Sequence, residues 1–108
     1  MKLAVIGSRS LTLDISPYIP ENVTEIISGG AKGIDTCAEQ YADAHKISKH
    51  IILPQYNRYK RGAPIKRNEE MIQLCDMVLA FWDGKSKGTE SSIAYAKKIG
   101  KEVQVIMV

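Results

Sequence analysis

At 108 residues the chain suits one compact domain and is too short for two, and no apolar run nears the roughly 20 residues that cross a bilayer. With 44% hydrophobic and 25% charged residues it has the composition of an ordinary globular protein, able to bury a core without disulfides or metal. The formal charge is only +3 and is unevenly placed: segment 55–67 holds Arg58, Lys60, Arg61, Lys66 and Arg67 and no acid, leaving ten cations against twelve acids elsewhere.

The chain opens on MKLAVIGSRS, whose single lysine and five-residue apolar stretch fall short of a signal peptide, so a cytoplasmic location is expected. Its first strand is KLAVI, residues 2–6. The connection LTLDISPYIPENV admits one or two helical turns from Ser16–Pro17 before Pro20 ends them. EIIS (25–28) is the second strand. A helix over 34–45 follows, with Ile34, Cys37, Ala38, Tyr41 and Ala42 on one stripe. HIIL (50–53) is the third strand, and the basic segment 55–67 then reads as a loop. Pro64 suits the first turn of a second helix, lined by Ile65, Ile72 and Cys75. MVLAFW (77–82) is the fourth strand. A third helix runs from Thr89, the expected N-cap, through Ile93, Ala96 and Ile99 to Gly100. EVQVIMV (102–108) is the fifth strand.

These five runs are mostly continuous in their apolarity, as in strands covered on both faces of a parallel sheet. Strand and helix alternate, so the expected fold is α/β: a Rossmann-like three-layer sandwich with a mainly parallel five-stranded sheet. Cys37, Cys75, His45 and His50 match no metal spacing and read as structural or solvated, so no metal site is expected.

In such sheets ligands sit at the carboxyl ends of the strands. Six of the eight glycines follow strands one, two and four, in the loops Gly7-Ser8-Arg9-Ser10, Gly29-Gly30-Ala31-Lys32-Gly33 and Asp83 to Thr89. Two of these loops lead into helices, whose unpaired N–H groups and partial positive charge attract anions. A phosphorylated ligand fits that edge. The pattern G-x-x-x-x-G-K-[ST] is absent, so hydrolysis of the P-loop type is unsupported. G-x-G-x-x-G is absent too, which argues against an ordinary NAD site.

Together with RGAPIKRNEEM and DMVLAFWDGKSKGTESSIAYA, the segments G-S-R and SGGAKGID resemble the SLOG superfamily, most of all its small YspA-like branch. The resemblance runs over nearly the whole chain and rests on the order of the pieces. Relatives include the Lonely Guy phosphoribohydrolases and DNA-processing protein A, and the deoxyribosyltransferases of nucleoside salvage carry a similar last motif. What the resemblance implies is one nucleotide-binding domain over 1–108, with no required cofactor, and a homodimer. The ligand would be a nucleotide or nucleotide derivative. It would meet Gly7, Ser8 and Arg9 after strand one, and Ser28, Gly29, Gly30, Lys32, Gly33 and Asp35 after strand two. Arg67 and Asn68 would join from the second helix, with Asp83, Gly84, Gly88, Thr89 and Glu90 after strand four.

The phosphoribohydrolases place a motif arginine four residues before a methionine, matched here by Arg67 and Met71. Their P-G-G-x-G-T-x-x-E ends on a catalytic glutamate. Gly88 and Thr89 match this motif, but Ser92 stands where the glutamate belongs. Breaking an N-glycosidic bond builds positive charge on the sugar, which a carboxylate stabilises and a serine does not. Glu90 is a weak catalytic candidate, because two residues turn a helix by about 200°. Three readings follow. The first is a nucleotide-binding or sensing module without efficient catalysis. The second is a nucleotide N-glycosidase of the phosphoribohydrolase or deoxyribosyltransferase type, using Glu90, Asp83 or Asp35. The third is a single-strand nucleic-acid binder using Tyr56 and Tyr59 among the cations of segment 55–67. No membrane partner is expected.

Overall fold

The computed structural model describes residues 1–108. Five strands build one sheet: β1 (Lys2–Gly7), β2 (Glu25–Ser28), β3 (Ser48–Ile51), β4 (Met77–Trp82) and β5 (Glu102–Met107). Their order is β3-β2-β1-β4-β5, and every adjacent pair is parallel. The helices are α1 (Ile34–Ala44), the single turn α2 (Tyr56–Tyr59), α3 (Ala63–Leu74) and α4 (Lys87–Lys98). No helix is long and apolar enough to cross a membrane.

Alternation along the strands divides the core. Leu3 and Val5 of β1 and Leu79 and Phe81 of β4 face one side, where Ile34, Ala38 and Ala42 of α1 cover them. Ala4 and Ile6, with Val78 and Ala80, face the other side and pack on Met71 and Ile72 of α3 and Ile93 and Ala96 of α4. Each central strand is therefore apolar at nearly every position. Residues 8–24 form the crossover from β1 to β2 with only a 3₁₀ turn, Ser16–Tyr18. They nevertheless do a helix's work: Ile15 is buried and Tyr18 packs edge-on against Phe81 at 5.5 Å between centroids.

The outer strands depart from the sequence reading. β3 is solvent-exposed along its length and β5 alternates, because each has a neighbour on one side only. β3 also starts two residues earlier than HIIL implies. The chain turns straight out of α1, where the Ile47 N–H bonds the Ala42 carbonyl, and Ser48 aligns with Glu25. Segment 55–67 is not a loop. After α2 it winds through a 3₁₀ turn at Lys60–Gly62 directly into α3, with Pro64 in the first turn.

α4 begins before Thr89. Asp83 Oδ1 accepts the N–H groups of Lys85 and Ser86 at 2.8 Å each, and the Trp82 indole holds the Ser86 carbonyl at 3.0 Å. That tight turn makes Ser86 the N-cap, its hydroxyl accepting from the Thr89 N–H at 3.4 Å. Gly88 consequently lies inside the helix, not in a loop.

Candidate functional site

The sheet order reverses between β1 and β4, and at the carboxyl edge there the loops after both strands part to leave a cleft of about 300 Å³. Every crossover helix starts on this edge, since each returns from the end of one parallel strand to the start of the next. The floor is Ile6 and Met71. Gly7, Ser8 and Arg9 form one wall, the start of α4 at Ser86, Gly88 and Thr89 another. Arg67 and Asn68 of α3 close it, with Asp35 of α1 beside them.

Arg67 anchors the arrangement. It is 7% exposed, its Nε donates to Asn68 Oδ1 at 2.8 Å, and its Nη1 donates to the Gly29 carbonyl. Burial lowers the guanidinium's pKa and the nearby Asp35 carboxylate raises it again, and the group remains a cation. Glycine at position 29 serves this contact, because a Cβ there would lie 2.6 Å from Nη1 of Arg67. Gly33 has a similar cause. Its φ is +72°, and a Cβ would lie 2.5 Å from the Ser8 and Arg9 carbonyl oxygens. The glycines of SGGAKGID are thus set by close approaches within the protein.

Two amides of the same segment are engaged within the protein. The Gly30 N–H bonds Ser28 Oγ at 3.3 Å and the Ala31 N–H bonds Asp35 Oδ2 at 3.1 Å. At α4 the Thr89 and Glu90 N–H groups are taken by Ser86, while those of Lys87 and Gly88 have no partner within the protein. Free amides are thus present at both helix starts of this edge, those of Lys32 and Gly33 before α1 and those of Lys87 and Gly88 at α4, where Gly88 opens onto empty space.

Asp35 is 7% exposed and is the carboxylate that lines the cleft. Burial pushes its pKa up, and the Ala31 N–H and Arg67 only partly offset that. No cluster of His, Cys, Asp or Glu able to hold a metal ion is present.

A second hollow of about 330 Å³ adjoins the cleft, sharing Arg9, Ala31 and Arg67 with it. Gly29, Gly30 and Lys32 lie here, together with Pro54 and Tyr56. Other residues named from sequence line neither space. Ser28 is fully buried, its hydroxyl donating to Glu39 at 2.8 Å, and Gly33 is wedged under Ser8 and Arg9. Asp83 and Gly84 form the turn before α4, where the two backbone N–H groups lower the Asp83 pKa. Glu90 points from the exposed side of α4. Ser92 is buried, its hydroxyl donating to the Gly88 carbonyl at 3.0 Å. Sequence reasoning missed Ser86. A serine three positions before a buried helical threonine is a capping signal that the preference for Thr89 obscured. Pro54 carried no signal at all.

One solved structure superposes on 99% of this chain with a TM-score of 0.79 and 22% identity, the X-ray structure of DNA processing protein A from Streptococcus pneumoniae. The chain has the fold of the part of DNA processing protein A on which it superposes. It spans 50% of the length of that Streptococcus DNA processing protein A chain. Among curated proteins it is similar to the Gene 61 protein of Mycobacterium phage D29, 31% identical over 81 residues, which make up 69% of this chain and 65% of the phage protein. No family model matches the chain.

Proposed function

We propose that the cleft binds a nucleotide or nucleotide derivative through its phosphate, and that the protein acts as a binding or sensing module. The observation that carries this reading is the meeting of Arg9 and Arg67 with the unpartnered Gly88 amide at the start of α4, at the reversal point of the sheet. Fixed amides, a helix start and two guanidinium groups all address an anion. The likeness to a DNA processing protein agrees with a ligand of nucleotide chemistry. Calorimetric titration with adenosine and guanosine monophosphates tests it. Saturable binding that Arg9→Ala weakens is the expected result, and no heat with either nucleotide rejects it.

A second reading, cleavage of the N-glycosidic bond, draws on Asp35, the carboxylate within the cleft. Against it, Asp35 is engaged by the Ala31 N–H, and Ser92, at the motif position of the catalytic glutamate, is buried and bonded to its own helix. Chromatography of nucleoside monophosphates after hours with the protein is expected to show no free base. Turnover near the usual enzymatic range of roughly 1–1000 per second, lost in Asp35→Asn, would replace the binding reading with this one.

A further inference from the structure

The cleft beside α4 has about 300 Å³, at the lower limit of the roughly 300–1,000 Å³ typical of small-molecule sites. A nucleotide that put its phosphate there would extend into the adjoining hollow of about 330 Å³, entered past Arg9, Ala31 and Arg67. The two spaces differ in character. The first is walled by hydroxyls, an amide side chain and free backbone N–H groups. The second adds flat surfaces, the bare backbone of Gly29 and Gly30, the Pro54 ring and the Tyr56 ring, beside the cations Arg9, Lys32 and Arg67. Its Gly30 and Ala31 amides are already bonded to Ser28 and Asp35.

Tyr56 is 53% exposed and stacks on no other ring of the protein. Tyr59 differs: the Arg58 guanidinium already covers its ring, 5.1 Å from the centroid. We infer that Tyr56 is the base-stacking residue of this site, so that a bound nucleotide lies with its phosphate against α4 and its base in the second hollow. The inference rests on the nucleotide reading above. An exposed ring beside a cationic cleft matches the base-stacking platforms of nucleotide-binding surfaces, which tolerate any base because each has a π face.

The test compares adenosine monophosphate with ribose 5-phosphate on the wild type, Tyr56→Ala, Tyr56→Phe and Tyr59→Ala by calorimetry. Stacking predicts that Tyr56→Ala weakens the nucleotide about tenfold and leaves ribose 5-phosphate unchanged, with Tyr56→Phe near wild type and Tyr59→Ala without effect. Equal loss for both ligands, or no loss for either, overturns the assignment of Tyr56 and leaves the phosphate cleft standing. Absence of binding by both ligands to the wild type overturns the assignment together with the reading beneath it.

Discussion

Arg9 and Arg67 both reach the cleft, but they differ in what else they hold. Arg9 is exposed and has no bond within the protein that substitution would break, so Arg9→Ala acts on binding alone. Hydrogen bonds to charged groups contribute about 1.5–3 kcal/mol, so nucleotide affinity falls at least tenfold while the urea midpoint stays in place. Arg67→Ala lowers both, since it also strands the buried Gly29 carbonyl. Lys60→Ala, outside the cleft, lowers neither. Gly29→Ala drives a Cβ into the Arg67 guanidinium and costs about 1–3 kcal/mol of stability, read from denaturant unfolding. Asp35 gives a dependence on pH. Burial raises its pKa in the folded protein above the unfolded value, so the folded state holds the proton more tightly. Its contribution to stability is therefore full in acid and falls as pH rises from the ordinary carboxylate range through the raised folded value. Asp35→Asn keeps an acceptor for the Ala31 N–H and removes this fall, which urea midpoints across that range will show. Arg9, Asp35, Arg67 and Asn68 were legible in the sequence because loops after parallel strands and charged residues near helix starts carry their own warrant. Ser28 and Gly33, read as ligand contacts, line neither space. Their buried side of the backbone, facing Glu39 and the Ser8 carbonyl, leaves no trace in local pattern.

At the scale of elements, α4 links stability to binding. Its N-cap, Ser86, also lines the cleft, and the helix presents the unpartnered amide of Gly88 there. Ser86→Ala is expected to cost about 1 kcal/mol of stability, measured by chemical denaturation, and to weaken phosphate binding as the first turn loosens. Ser86→Asp restores the cap but brings a negative charge to the anion site, so stability recovers and binding does not. The comparison separates the two roles in one helix turn. The elements themselves were largely readable. β2 and β4 fall on their apolar runs, and α1 on its stripe of Ile34, Ala38 and Ala42. The early start of α4 escaped notice because the Asp83 turn and the Trp82 indole set it from outside the helix. The exposed face of β3 escaped because strand order, which decides which strands are edges, is a property of no single segment.

Across the whole molecule, the sheet places β1 in its centre, between β2 and β4. One side of β1 pairs with a strand that follows after a single crossover. The other side waits for β4, joined through the Lys2 N–H to Asp76 Oδ2 at 2.8 Å across a separation of 74 residues. Closing so long a loop carries an entropic cost that grows with the logarithm of its length, and it precedes any reward from the pairing. Docking of β4 against β1 is therefore the step expected to limit refolding, and stopped-flow kinetics should show the chain folding more slowly than a helical protein of equal size. During synthesis the consequence is sharper. Until residue 82 has emerged, Leu3, Ala4, Val5 and Ile6 present an open backbone edge and an incompletely covered apolar face. That interval is when a nascent chain of this topology is most exposed to misassociation, and when a chaperone has most to shield. The strand made before all the others in the sheet is among the last to be enclosed.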